Sequence, residues 1–329
     1  EDIATVREAL AIPLPADPSD SDQLLDYLMT ITQGPVVDDS TVPATRSPGV
    51  FLGVFLGASH SSPLMMTEWP AEMGVSIAEF DADLIAGLPP ETLTIWIGSI
   101  DPARVAAAVI ADPMWSDDLR PLSHAGYDHW CWGDDPSAID VERRTAMRPL
   151  GRGGCLAAFE GTAYRTVTAE AMDAALEVRA GDGTSLADVE ALRLAAAALD
   201  DAGAHTAAFT MAAERFEFDA VQLDQPLLDR WTALGAGAGF DQTGDYLVIA
   251  LVYDDDATAS ANAATLATIA SSGRSVSVEP GRPWSDIYQS LGPVTSDGPV
   301  VIARFYGSAI TRRWPIVAGL PDALTMWGA

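Results

Sequence analysis

The chain has 329 residues, of which 47 are acidic and 18 are basic, and its formal net charge is −29. All the basic residues are arginine, so the chain lacks both the lysine of a Walker phosphate loop and the basic footprint that nucleic acid requires. We therefore expect no nucleic-acid partner, no direct binding to an anionic membrane surface and no cofactor. The hydrophobic content of 48% supports a folded core, and a chain of this length favours two domains.

The cellular compartment is indicated by the first residue, the cysteines and the acidic composition. The chain begins with Glu1, and we expect a signal or lipid-anchor segment to have been removed ahead of it. An even number of cysteines with this surface charge predicts a disulfide between Cys131 and Cys155, with two buried thiols as the alternative. The sequence thus predicts an extracytoplasmic protein, secreted or membrane-anchored. Its lysine-free composition fits either a high-salt environment or the bias of a GC-rich genome.

Residues 1–48 are predicted to form an N-terminal extension and the first helix. This helix begins near Ser21, because Asp20 with Gln23 three positions later resembles a capping box. A stripe of leucines and isoleucine follows at helical spacing. The pair Gly34-Pro35 is expected to end the helix.

Residues 49–211 are predicted to form a first α+β unit. Apolar runs and alternation indicate strands, and Asp101 followed by proline is typical of a helix start. Two short strands around Glu160-Gly161 indicate a hairpin. The predicted strands are Val50–Leu56, Thr92–Gly98, Gly126–Trp132, Cys155–Phe159, Thr162–Val167 and Ala204–Met211. Further helices are expected from Thr168 and from Ser185.

Residues 212–329 are predicted to form a second unit. Leu234–Phe240 is interpreted as a flexible stretch of small residues between the halves, ahead of the apolar strand Asp245–Tyr253. One aspartate among residues 254–256 is expected to cap a helix rather than to bind calcium, because the spacing of calcium-loop ligands is absent. Later strands are predicted at Arg274–Val278 and Pro299–Tyr306.

Both halves share one order of elements: an apolar strand, an aspartate cap and a helix rich in small residues. A distant internal duplication is one explanation of this repeat. Hairpin-like spacing between strands favours antiparallel sheets over a doubly wound parallel sheet. The predicted fold class is therefore α+β, with two units of mainly antiparallel sheet packed with helices.

Residues 123–135 hold the densest set of side chains that could carry chemistry. Histidine, thiolate and carboxylate are metal-ligand types, but only His129 and Cys131 would share a strand face, and a disulfide removes the thiolate. We therefore predict no metal site and no identified catalytic residue. The aromatic side chains suggest a surface on which a flat ligand stacks, and filling of the core is the alternative. The predicted ligand-binding residues are His124, Tyr127, His129, Trp130 and Trp132, and Trp96 and Trp115 are further candidates for the aromatic surface.

A longer pattern between residues 73 and 209 carries a resemblance to known proteins. It joins Gly74–Ile77, Pro89-Pro90, the run TLTIWIGSIDPARVAAAV, Gly126-Tyr127, Gly133–Asp135 and the block Cys155–Leu199. In this order the segment resembles a family of exported bacterial proteins, often lipid-anchored, that have no assigned activity. The resemblance implies export and an α+β fold, and it implies no site residues.

Three hypotheses of function follow. The first is a non-catalytic exported cell-envelope protein with a binding or structural role, whose partner is an unidentified small molecule, glycan or envelope protein. The second is an extracytoplasmic hydrolase or metal-dependent enzyme with its site near residues 124–135. The third is a module that binds a glycan or another solute through a Trp-rich face. A polar cleft around the histidines would favour the enzyme, and exposed coplanar Trp rings would favour glycan binding.

Overall fold

A computed structural model describes residues 2–9, 11–33, 66–88, 91–114, 116–133, 138–148, 150–218 and 225–328. These residues form two compact units that divide between Thr184 and Ser185. The fold class is α+β, because each unit contains a large antiparallel sheet packed with helices. The predicted strand Val50–Leu56, together with Trp115, Asp134 and Asp135, lies outside the described residues. No helix in the described part is long and apolar enough to cross a membrane.

The first unit contains a six-stranded antiparallel sheet in the order β1-β2-β6-β5-β4-β3. The strands are β1 Phe80–Leu88, β2 Glu91–Gly98, β3 Arg120–His124, β4 Tyr127–Trp132, β5 Gly154–Phe159 and β6 Thr162–Thr166. Hairpins join β1 to β2, β3 to β4 and β5 to β6, the last as the sequence predicts. Gly161 has a φ of 73° in the turn between them, a conformation that glycine adopts without strain.

Five helices of the first unit are described. They are α1 Ile3–Ala9, α2 Ser21–Gln33, α3 Trp69–Met73, α4 Pro102–Ala111 and α5 Ala169–Ala180. The predicted caps are confirmed, because the Asp20 carboxylate accepts from the backbone N–H of Gln23 and the Asp101 carboxylate accepts from that of Ala103. The Thr168 hydroxyl likewise caps α5. Each cap satisfies a donor that the helix itself leaves unpaired.

The predicted disulfide is confirmed. Cys131 on β4 and Cys155 on β5 are directly opposite each other in the antiparallel register, with their Cα atoms 4.1 Å apart. The bridge lies in the core beneath α5, where it packs with Ala157, Met172 and Leu176. It therefore fixes the pairing of two strands that are joined by a long connection.

The second unit contains another antiparallel sheet, in the order β11-β13-β10-β9-β7, with β12 also paired to β13. The strands are β7 Ala204–Thr210, β9 Ala233–Phe240, β10 Asp245–Val252, β11 Ser290–Leu291, β12 Thr295–Asp297 and β13 Val300–Tyr306. Two short strands, β8 Glu217–Phe218 and β14 Trp327–Gly328, pair in parallel. β10 is buried on both faces, so its sequence reads as a continuous apolar run.

The helices of this unit cover both faces of its sheet. They are α6 Glu190–Asp201, α7 Asp256–Ser272, α8 Ser308–Thr311 and α9 Trp314–Gly319. The α6 side chains of Ala195 and Leu199 pack in one core cluster, and α7 and α9 contribute to the other. Asp255 is the aspartate that caps α7, since its carboxylate accepts from the Thr258 backbone N–H. The other two candidates, Asp254 and Asp256, do not fill this role.

The interpretation of Leu234–Phe240 as a flexible stretch is wrong. These residues belong to β9, which lies between β7 and β10 and is buried along almost its whole length. The glycines meet close neighbours on this strand: a Cβ on Gly237 would lie 2.5 Å from the Thr206 carbonyl oxygen, and one on Gly239 would lie 2.4 Å from the Tyr246 hydroxyl. The alternating glycines therefore permit close packing rather than motion.

The predicted strand Arg274–Val278 is also wrong. The backbone N–H groups of Val276, Ser277 and Val278 donate to the buried carboxylate of Asp322, so they are not available to a neighbouring strand. Asp322 also accepts from the Ser275 hydroxyl and from the Ala323 backbone N–H. The segment is therefore a loop that is organised around one carboxylate.

The division of the chain differs from the predicted domains in two respects. The boundary falls before Ser185 rather than after residue 211, because α6 and β7 pack on the sheet of the second unit. The first helix, assigned by sequence to an extension of residues 1–48, belongs to the first unit. The hypothesis of an internal duplication stays a prediction.

Candidate functional site

The hairpin of β3 and β4 places the predicted ligand-binding residues on two different faces of the first sheet. Ala125 and Gly126 form its turn, both with positive φ (51° and 83°), as a tight hairpin connection requires. Tyr127, His129 and Cys131 point towards α5 because successive side chains alternate across the sheet. Trp130 and Trp132 therefore point away from this helix.

His124 lies between two carboxylates of α5. Its Nδ1 is 3.5 Å from the Asp173 carboxylate, and its Nε2 is 3.1 Å from the Glu177 carboxylate. The two acids are four residues apart and therefore lie on one face of the helix. All three side chains are partly exposed, so the group is open to solvent. Neither Asp173 nor Glu177 can be recognised as a partner of His124 from the sequence, because no sequence pattern links α5 to the hairpin.

His129 is buried beside this group. Its side chain is 1% exposed, its Nε2 is 3.9 Å from Asp173, and neither ring nitrogen makes a hydrogen bond of good geometry to a described residue. Burial lowers the pKa of His129, and Asp173 and the backbone of Tyr127 oppose this shift. The imidazole is thus held in an environment that favours its neutral form.

Tyr127 belongs to an aromatic cluster around a guanidinium. The Arg179 Cζ atom lies 3.8 Å from the ring centroid of Phe159 and 5.6 Å from those of Tyr127 and Tyr164. Tyr127 also meets Phe159 edge-on, with ring centroids 5.3 Å apart. These contacts attach α5 to the sheet through cation–π interactions. Tyr127 therefore already has a packing role.

The tryptophans are mostly interior. Trp132 is buried and donates from Nε1 to the Arg152 carbonyl oxygen at 3.0 Å, while the Arg148 guanidinium lies over its ring. Trp96 is buried and stacks on Phe80. Neither ring is available to an exposed aromatic platform. The ligand face predicted from this segment stays a prediction. Tyr127 and Trp130 are half-buried, but they project from opposite faces of the sheet, so one surface would contain only one of them.

The described side chains around His124 do not have the geometry of a metal site. In the part of the chain that is described, no group of three or more His, Cys, Asp or Glu side chains is placed to hold a metal ion. The Cys131 sulfur is bonded to Cys155. What the histidine–carboxylate group offers is an imidazole oriented by two carboxylates, an arrangement suited to proton transfer.

A groove on the first unit is a second candidate site. Its volume is about 710 Å³. Four segments form it: the start of α2 (Ser19 and Ser21), residues 67–72 around α3, the end of α4 with Asp112 and Pro113, and the pair Arg144-Thr145. Its walls combine hydroxyl and charged groups with the apolar surfaces of prolines and alanines. We call this feature the unit 1 groove.

The wall of the groove at α3 is fixed by Glu72. This buried carboxylate accepts a short hydrogen bond from the Thr145 hydroxyl and another, of 2.9 Å, from the Met147 backbone N–H. Nearby, burial lowers the pKa of the Arg165 guanidinium, and the charge of Glu72 opposes that shift. These bonds connect α3 to residues more than seventy positions later. One wall of the groove is therefore held in place by tertiary contacts.

Two further carboxylates lie on the groove, one at the end of α4 and one at the start of α3. Asp112 follows the last residue of α4, at the negative end of the helix dipole, and accepts from the Met114 backbone N–H at 2.7 Å. Glu68 precedes α3 but makes no capping hydrogen bond with its side chain. Arg144 supplies the positive charge of the lining.

The sequence analysis did not identify the groove, because its residues come from segments spread between positions 19 and 145. The one local signal is Asp112, an acidic residue at a helix end where a cation is favoured. Comparisons with known proteins find no family model, no curated protein and no solved structure that matches this chain. Its function is therefore inferred from the geometry of the chain itself.

Proposed function

We propose that this protein is a non-catalytic, exported protein of the cell envelope, secreted or membrane-anchored, whose first unit binds a small molecule in the unit 1 groove. The observation that carries the proposal is the groove itself. Its volume of about 710 Å³ lies within the range of about 300–1,000 Å³ that is usual for ligand sites.

The composition of the groove supports binding of a small molecule. Ligand sites combine apolar walls with a few placed polar groups, and both are present here. Pro70 and Pro113 offer rigid apolar surface, while Glu68, Asp112 and Arg144 offer groups that orient a polar ligand. The bonds of Glu72 preorganise one wall, which reduces the entropy lost on binding.

The proposed location is supported by the cysteine chemistry. The disulfide between Cys131 and Cys155 is buried in the core, and such bonds persist in oxidising compartments. A net charge of −29 also keeps an exported protein hydrated and monodisperse. Export is tested by fractionating cells that express the protein from its native gene, where the protein is expected outside the cytoplasm.

The binding proposal is tested with a groove-filling variant. Ala111 is an exposed lining residue at the end of α4, so Ala111→Trp should occupy the groove without disturbing the core. Ala103→Trp is the matched control, since Ala103 is exposed on the same helix but does not line the groove. A library of small cationic, neutral and anionic compounds is screened by saturation-transfer NMR against all three proteins.

The expected result is at least one compound that binds the original protein and Ala103→Trp but not Ala111→Trp. Circular dichroism must show that both variants are folded. Equal binding to all three proteins, or the absence of any binding compound, contradicts the proposal.

A second candidate function is favoured by His124, which two carboxylates orient as in an acid–base site. In this alternative the protein is an extracytoplasmic hydrolase. Chromogenic ester, phosphoester and glycoside substrates are assayed with the original protein and with His124→Gln. Turnover that His124→Gln abolishes would support the enzyme, whereas no turnover of any substrate would leave binding as the better account.

A further inference from the structure

We infer that the ligand of the unit 1 groove is a small organic cation, such as an amine or a guanidinium compound. This inference rests on the proposed binding function and names the ligand class. The carboxylates of Glu68 and Asp112 line the groove beside the one guanidinium of Arg144, while the charge of the third lining acid, Glu72, is offset by the nearby Arg148 and Arg165. A groove of this composition has a negative potential towards a ligand, and low-dielectric walls focus that potential.

Asp112 gives the strongest local argument for a positive ligand. A helix carries about half a negative charge at its C-terminal end, so a carboxylate placed there is unfavourable unless a cation compensates it. The Asp112 carboxylate lies at the end of α4, which has no basic residue in its last turn. Its bond from the Met114 backbone N–H uses one oxygen and leaves the negative charge in place.

The size and walls of the groove favour an organic cation over a metal ion. A bare divalent cation needs several oxygens converging at about 2.0–2.6 Å from one point. Among the described residues no such group of acids is present. The groove has room for a body of many atoms, and Pro70, Ala71 and Pro113 provide apolar surface for the carbon part of that body. The charged head would then pair with Asp112 or Glu68.

The test uses a matched set of probes that differ in charge: phenethylamine, 2-phenylethanol and 3-phenylpropanoate, with Ca²⁺ as the metal probe. Binding is measured by isothermal titration calorimetry and by saturation-transfer NMR at low ionic strength. Phenethylamine is expected to bind, more tightly than the other two organic probes. Asp112→Asn should weaken its binding by about tenfold, because it removes one charge-assisted partner. The asparagine oxygen can still accept from Met114, so the fold should persist.

Two variants complete the design. Asp117→Asn removes one charge from an exposed residue that does not line the groove, and it should leave phenethylamine binding within about twofold. Glu68→Gln provides a second test of the lining carboxylates if Asp112→Asn does not fold.

The possible failures are distinguishable. Equal weakening by Asp117→Asn and Asp112→Asn would mean that only the overall charge attracts the probe, which overturns the inference. Tighter binding of 2-phenylethanol or 3-phenylpropanoate, lost in Ala111→Trp, would also overturn it but would leave the binding proposal intact. Binding of Ca²⁺ that depends on Asp112 would replace the organic cation with a metal. If neither these probes nor any compound of the wider library responds to Ala111→Trp, the proposed function itself fails.

Discussion

Asp83 offers a direct test of the electrostatics of the first unit. It lies on β1 opposite Trp96, is 6% exposed, and faces the side of the sheet on which Trp96 stacks with Phe80. Burial raises the pKa of this carboxyl from 3.8 to about 6. The charged form is therefore unfavourable in the folded protein, and Asp83→Asn should stabilise the first unit near neutral pH.

The size and pH dependence of this effect follow from the pKa values. A shift from 3.8 to about 6 is roughly 2 pKa units, which corresponds to about 3 kcal/mol as an upper bound. Because the folded pKa is raised, the folded state binds more protons between these values. The stability that protonation provides is complete below the unfolded pKa of 3.8 and is lost as the pH rises through about 6. The gain from Asp83→Asn should therefore be absent near pH 4, grow between about pH 4 and pH 6, and be complete above about pH 6.

The assay is urea unfolding followed by tryptophan fluorescence across this pH interval. The original protein, Asp83→Asn and the control Asp128→Asn are compared, since Asp128 is an exposed carboxylate on β4 of the same sheet. Near pH 7 the Asp83→Asn substitution should raise the free energy of unfolding by about 1–3 kcal/mol relative to the control substitution. A gain that is independent of pH, or a loss of stability at neutral pH, would refute the argument from burial.

Three other perturbations have defined outcomes. Asp322→Ala should destabilise the second unit by at least about 4 kcal/mol in urea unfolding, because five hydrogen bonds, three of them buried and two part-buried, lose their acceptor; an effect below about 1 kcal/mol would contradict that role. Thiol titration of the denatured, unreduced protein should find no free thiol. The double variant Cys131→Ser, Cys155→Ser should have a free energy of unfolding lower by about 3 kcal/mol, given the sequence separation of 24 residues. Asp101→Ala should lower the free energy of unfolding by about 0.5–2 kcal/mol and leave ligand binding unchanged. Altered ligand binding would show that Asp101 has a role beyond capping.

The elements that sequence analysis predicted well are those whose causes are local. Asp101 and Asp255 cap helices because a short side chain reaches a backbone N–H two or three residues later. The hairpin of β5 and β6 depends on the turn at Glu160-Gly161. The cysteine pair was predicted from composition and compartment, and its strands prove to be neighbours.

The errors arise where a distant residue decides the structure. The glycines of β9 indicate flexibility when taken alone, but the neighbouring Thr206 and Tyr246 leave no space for a Cβ. The apolar alternation of residues 274–278 suggests a strand, but Asp322 captures its backbone N–H groups from more than forty residues away. In both cases a local pattern has two structural outcomes, and only a tertiary contact selects between them.

The same distinction between local and distant causes explains why the two candidate sites are not equally recognisable in the sequence. The histidines of residues 123–135 are conspicuous in the sequence, but their partners Asp173 and Glu177 come from a helix whose packing no local pattern reveals. The unit 1 groove has no conspicuous segment at all, because each of its four segments contributes only a few lining residues.

The acidic composition bears on selective ligand binding only through the carboxylates that line the unit 1 groove. A net charge of −29 attracts cations to the whole surface, and salt screens that attraction beyond about 8 Å at physiological ionic strength. Asp112 and Glu68 act at shorter range within a concave wall, where screening is weaker and the end of α4 adds to the potential. Selective binding of a cation must therefore depend on these few carboxylates rather than on the total charge. For this reason Asp112→Asn is compared with Asp117→Asn, which removes the same charge outside the groove. The comparison separates attraction by the lining carboxylates from attraction by the total charge.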